Sequence, residues 1–424
     1  MVAFRLGIAK ADITPPKPIP MAGFAARTGN SVGVARPLYA RVWLFEQEGR
    51  KALLVQGDLI WWGAERIASM QRKLEADWGI AAEDALFHAS HTHGGPQTSD
   101  LLNPILGRTD AAYVDYLERQ VLQAVAEAHG NIEPVSVEKG TGACEGISIN
   151  RRKAVNGVMA MAPNPDGVND TELIVYRFLA APSRVKGVLF HFACHPTTVG
   201  ELLFTSEYCG AAMERLDEQW GDGVSCFLQG YCGDIRPPLV RDGAFYRGTE
   251  EDVARNGGIL AQAVLDIAAQ PMRALQPAPF FSSRLTATLP YERVPQEAEL
   301  EPADGDSAAT ALWKAFLRDR PELRKPAAAL TLHGLKLADG LAFLAMDGEI
   351  VVEYGLHVKR LSGGGVLPLG YTGGMVGYVP TAQQIAEGGY ESKDSAPLFG
   401  LPAPFSPQIE EELRARIGEL IARM

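Results

Sequence analysis

The sequence predicts a mixed α/β (α+β) fold. Short apolar runs rich in Val, Leu and Phe alternate with longer stretches of helical periodicity, the pattern of sheets flanked by helices. Gly-containing turns join some of these runs directly, as hairpins do. In chain order, "ARVWLFEQ" and "KALLVQGDL" read as strands joined by the turn "EQEGRK", with Gly49 placed where φ > 0 is needed. A helix is expected over 64–76, then the strand "ALFHAS", then a helix over 111–129. The runs "ELIVYRFLA", "VKGVLFHFA" and "VSCFLQG" read as further strands, and 250–269 as a helix. "KLADGLAF" reads as a second hairpin turn, and 407–424 as a terminal helix. The polar stretch 290–326 fits a helical excursion or insertion better than a domain linker, and no repeat or low-complexity tract interrupts the chain. One domain over 1–424 is therefore expected.

Composition narrows the function classes. A hydrophobic share of 46% with 21% charged residues suits a globular protein with a sizeable core. Forty basic against 51 acidic residues give −11, which argues against a nucleic-acid partner. No basic run suggests an anionic membrane surface, and no run of about 20 apolar residues suggests a transmembrane segment. The first residues show no apolar core of a secretory signal. The five cysteines are an odd number without CxxC spacing. Reduced thiols and a cytoplasmic location are expected, with Cys194 and Cys226 as small core residues.

The chemistry concentrates in "FHASHTHGGP", which holds three of the eight histidines. If the chain stays extended, His91 and His93 share a strand face, a good start for a zinc site. A metallo-β-lactamase-like HxHxDH is disfavoured because "GGPQ" follows His93, and an amidohydrolase barrel because strands precede the HxH and its later Lys–His–Asp series is not evident. A second cluster lies in "VKGVLFHFACHPTTVG". There His195 falls at the end of an apolar run, a favoured ligand position, while His191 sits deeper and reads as a core histidine. "FLQGYCGDIRP" again drops from a strand into a polar turn, so three strand ends point to one crevice. A catalytic zinc takes three protein ligands and a water, so a carboxylate is needed; Glu349 in "AMDGEIVVEYG" is a candidate, with favourable helix-dipole chemistry as its alternative role. Asp58 and Asp234 read as turn caps or supports of the ligands.

Taken together and in order, these stretches resemble the catalytic domain of the neutral/alkaline (non-lysosomal) ceramidase family. "LGIAKADITPP…MAGFA" is similar to its GxGxADIT…MxGY opening, "SHTHGGP" to THTHSGP, "NRR" to NRSP and "FACHPTT" to VHPTS. "GDIRP" is similar to GDVSP, "DGEIVVEYGLHVKR" to PGEFTTMAGRRLR, and "GYVPTAQQIAEGGYE" to YVTTxEEYxxQRYEG. The matches run from Leu6 to about Glu391. The resemblance implies a ceramidase-like fold and a zinc held by His91, His195, Glu349 and Tyr378, with Tyr371 and Tyr390 as nearby alternatives to Tyr378. It also implies that His93, Arg151 and Tyr390 line the reacting carbonyl, and that a metal-activated water cleaves an amide bond of a small-molecule substrate. Arg152 adjoins Arg151, and only one of the two can face the site in an extended chain.

Departures from the family pattern qualify the substrate. The C-terminal immunoglobulin-like domain of ceramidases is not expected here, and Arg236 stands where the family has the serine of GDVSP. Facing the pocket, Arg236 would suit a smaller, more polar or acidic substrate; facing away, it would be a salt bridge fixing the turn. An esterase or lactonase would use the same zinc site. A non-catalytic zinc protein would instead close all four positions and need neither His93, Arg151 nor Tyr390.

Overall fold

Alternation along the strand Tyr39–Gln47 decides the layering. A computed structural model describes residues 4–25, 27–181, 184–221, 223 and 225–424. Val42 and Leu44 point to one buried cluster, shared with Ile67, Met70 and Leu74 of the helix Ala64–Trp78 and with Leu117 and Val121 of the helix Ala111–Gly130. Trp43 and Phe45 point the other way, into a cluster with Ile174, Tyr176 and Leu189. Both faces are therefore dry, at about 1.5–3 kcal/mol for each large apolar side chain removed from water.

The first sheet runs Ala85–Ala89, Arg50–Gly57, Tyr39–Gln47, Arg5–Asp12 and Glu133–Pro134, with only the pair Arg50–Gly57 and Ala85–Ala89 parallel. The second runs Ser225–Gln229, Arg184–Phe192, Glu172–Ala180, Ser136–Ala143 and Arg273–Ala274, with the first pair parallel. Its outer face packs on the helices Glu207–Trp220 and Glu250–Ala268 through Val175, Phe190, Met213 and Leu260. A third sheet, Pro277–Pro290, Ala327–Ala338, Leu341–Met346 and Val366–Leu369, sends Leu335, Phe343 and Leu367 into the inter-sheet cluster. Its other face is covered by Leu413, Ile417 and Leu420 of the helix Ile409–Arg423.

The expected strands and helices are all present, and mixed α/β is the observed class. Both hairpin turns form, with Glu48 and Gly49 at φ 50° and 81° and Gly340 at φ 90°. Residues 290–326 are an insertion between two paired strands that carries the helix Ala308–Asp319, capped by the Ser307 hydroxyl. Leu300, Phe316 and Leu317 form its own small core, and the Trp313 indole donates to the Leu401 carbonyl at 2.8 Å.

What matters for function is where the parallel pairs end. Just past Ala89, Phe192 and Met346 the chain leaves all three sheets at one place. Gln229 N donates to His88 Nε2 (2.8 Å) and Ala89 N to the Tyr371 carbonyl (3.1 Å), stitching these ends together. Ligands favour this position outside the carboxyl ends of strands.

Candidate metal centre

The strand stops at Ala89, and His91 adopts a left-handed backbone with φ 66°. His91 and His93 therefore do not share a strand face, as extended spacing predicts. A turn brings their Nε2 atoms to 3.3 Å instead. Such a conformation costs a β-carbon residue about 1–3 kcal/mol and persists only where the surroundings impose it. Two contacts do so: His91 Nδ1–H donates to the Ile60 carbonyl at 2.8 Å, and the Tyr371 ring stacks on the imidazole at 3.8 Å.

His195 lies past the end of Arg184–Phe192. Its Nδ1 is 2.6 Å from the Cys232 carbonyl and 3.0 Å from that of Ile235. Glu349 and Tyr378 face each other in the parallel pair Glu349–Ile350 and Tyr378–Val379. Glu349 Oε2 lies 3.0 Å from His195 Nε2 and 3.4 Å from His91 Nε2; the Tyr378 hydroxyl lies 3.4 Å from His195 Nε2.

These donors fit a divalent cation. Backbone carbonyls occupy Nδ1 of His91 and His195, so each imidazole presents its Nε2 lone pair inward. A carboxylate and several lone pairs then face one another in a dry pocket, and a cation is the simplest group that satisfies them all. The ligand-capable nitrogens of His91, His93 and His195 lie within 4.8 Å of one another. Burial, with the positive charge of Arg151, pushes the His195 imidazole down to about 4. Burial alone would raise the Glu349 carboxyl, but His91 and His195 hold it well below the usual carboxylate range.

Beside this cluster Arg151 is buried, its Nε 2.7 Å from Glu391 Oε1 and an Nη 3.0 Å from the Tyr378 hydroxyl. Burial works against its charge, yet Tyr378 and Glu391 keep it cationic. Arg152 points to the opposite face of the strand, donating to Glu391, Gln384 O and Gly388 O, so one arginine of the two reaches the site. Tyr390 packs edge-on against Tyr378 (5.4 Å) and under the Arg151 guanidinium (5.6 Å). Tyr371 sends its hydroxyl to Cys232 Sγ at 3.1 Å, leaving Tyr378 as the phenol nearest His195 Nε2.

The supporting residues take sober roles. His191 bonds the Pro368 carbonyl in the core, and all five cysteines are buried and unpaired. His88 accepts from Gln229 N and is structural. Asp234 accepts from Val352 N and Gln384, and Asp58 from Tyr39 N and Gln56; both tie loops rather than touch the histidines. Phe24, Arg27, Glu207, Arg247 and Glu391 also border the site. Only tertiary packing delivers them, although Glu391 lies within the last of the matched motifs.

The sequence profile of the neutral/alkaline non-lysosomal ceramidase N-terminal region matches residues 4–251, more than half of the chain. The chain belongs to the neutral/alkaline non-lysosomal ceramidase family. Neutral ceramidase from Pseudomonas aeruginosa superposes with a TM-score of 0.78 at 18% identity, covering 100% of this chain and 75% of that one. A ceramidase complexed with C2 superposes with a TM-score of 0.78 at 17% identity, covering 99% and 75%. No curated protein matches. At these identities the structures establish a ceramidase fold, and family and fold together support a hydrolase. His91, His93, Arg151 and His195 lie inside the profile match; Glu349, Tyr378 and Tyr390 lie beyond it, within the structural one. Among the described residues no helix is long and apolar enough to cross a membrane.

Proposed function

We propose that this ceramidase-family protein is a zinc-dependent amide hydrolase working in the cytoplasm as a single domain, on a substrate smaller or more polar than ceramide. The observation that carries the reading is the convergence of His91, His195, Glu349 and Tyr378 on one dry point, with Arg151 held against Tyr378. Zinc held by these four residues would supply Lewis acidity and, by taking a solvent molecule as a further ligand, would lower the pKa of that water towards ~7. The chain's residues do the rest. The Ile60 and Cys232 carbonyls hold both imidazoles in the ligating tautomer. Arg151 and Tyr390 donate to the oxygen that gains charge as the carbonyl is attacked. His93, neutral through burial and its neighbours His91 and His195, takes the proton of water and returns one to the leaving amine. Its 8% exposure, beside the Phe24 ring at 4.7 Å, makes it the most exposed of the proposed site's histidines and favours a narrow approach.

Elemental analysis with amidase kinetics tests this. One zinc per chain is expected, with turnover of N-acyl compounds that chelation abolishes and zinc restores. His91→Ala should lose the metal and more than the ~100-fold that disturbing a ligand's support already costs. Metal-free protein with full amidase activity would refute the reading, and cleavage of esters with no matched amide cleaved would replace it by an esterase or lactonase.

A further inference from the structure

Arg236 is the side chain that the catalytic scheme leaves unused. It lies on Ile235–Arg236, paired antiparallel with Ile149–Val155 and opposite Ile149. Arg151 is two residues along from Ile149. The two arginines therefore share one face as diagonal neighbours, typically about 7–8 Å apart. Arg236 is 8% exposed, and its Nε is buried without a hydrogen-bond partner. Its guanidinium lies over Phe245 at 4.2 Å, and among the described residues no carboxylate comes within ion-pair distance of it. The salt bridge that would make Arg236 a turn anchor is thus not found there. Arg151 differs, since Glu391 already answers its charge.

Two further guanidinium groups stand on the solvent side of His93. Arg27 and Arg247 lie over the Phe24 ring at 4.7 and 3.8 Å, and that ring packs on His93. Arg27 donates to the carbonyls of Ala22, His93 and Glu201 rather than to an acid. Burial and the charge of Arg247 lower both Arg27 and Arg236 to about 10, with Arg151 adding to the effect on Arg236. Glu207 is the acid whose field all three share, and its oxygens are taken by Val199 N and Tyr208 N. A buried guanidinium without its anion is costly, and a planar fork with free donors matches a carboxylate.

We infer that the substrate is a carboxylate-bearing amide, its carboxylate gripped by Arg236 with Arg27 and Arg247 alongside. The inference rests on the hydrolase reading above and names its substrate class. In the reaction water adds to the amide carbonyl and the C–N bond breaks. The acyl part leaves as a carboxylate and the amine takes up the proton, so atoms balance without a further reactant.

The test compares N-hexanoylglycine with N-hexanoylglycinamide, and N-hexylsuccinamic acid with its primary amide, so that the carboxylate is offered on either side of the scissile bond. At least one acid should exceed its neutral partner in kcat/KM by about tenfold or more, the worth of a charge-assisted contact. Arg236→Gln should level that ratio, and Arg247→Gln, at an exposed position, should lower it a few-fold. Calorimetric binding to the His91→Ala protein, which should not turn over, reads the same preference without catalysis. Equal or better handling of both neutral partners overturns the inference while the hydrolase reading stands, as does a preference that survives both substitutions. Binding preference without turnover of any amide by zinc-loaded wild type upholds the carboxylate site and removes the hydrolase.

Discussion

Arg151 shares its neutralising acid with Arg152: Glu391 takes one arginine on each carboxylate oxygen. Removing Arg151 therefore leaves Glu391 paired, and the fold should survive. Arg151→Gln should lower kcat by about 10²–10³, the usual cost of an oxyanion donor, with zinc content unchanged. Steady-state kinetics beside elemental analysis check this; loss of the metal with the activity would recast Arg151 as support for Tyr378. The left-handed His91 illustrates the same economy at one residue, its strain being offset by the Tyr371 stack and the Ile60 carbonyl.

At the level of elements, Gly233 lets the loop before Ile235 lie against the strand of Glu349. Its amide donates to the Ile350 carbonyl at 2.8 Å, and a β-carbon there would meet the Glu349 and Ile350 oxygens at 2.8 and 3.0 Å. Gly233→Ala should weaken zinc binding by about 10–100-fold while thermal unfolding stays cooperative, measured by competition with a chelator. Unchanged affinity would show that the loop yields without disturbing Glu349. The helix Glu207–Trp220 opens on a buried acid at φ 58°. Burial raises the Glu207 carboxyl from 4.5 to about 7, so the folded chain keeps a proton that the unfolded chain releases. That stabilisation, on the order of 3 kcal/mol, is full below pH ~4.5 and is lost as pH rises through ~7. The Tm of wild type should thus fall relative to Glu207→Gln across this window; a constant difference would show that Glu207 does not titrate there.

Across the whole molecule the proposed ligands come from chain segments near 91, 195, 349 and 378, which leave three different sheets at one end. A cation that binds only the folded arrangement stabilises it by mass action, by about 2.7 kcal/mol at a hundredfold excess over Kd. Adding zinc to metal-free protein should raise the calorimetric Tm in a concentration-dependent way. A Tm indifferent to zinc would count against a cation at this junction.

Local pattern by itself determined the strands read from apolar runs, the helices over 64–76, 111–129, 250–269 and 407–424, both hairpins and the insertion at 290–326, but not the strand Arg5–Asp12 or the helix Glu207–Trp220. Period and turn chemistry are properties of neighbouring residues, so they are legible in one dimension. The ordered motifs also named His91, His195, Glu349 and Tyr378. Which phenol approaches His195, which of Arg151 and Arg152 turns inward, and how His91 reaches His93 were decided by packing. So was the approach of Arg247 to both Arg27 and Arg236, because a guanidinium's neighbours lie on segments that only the assembled sheets bring within reach.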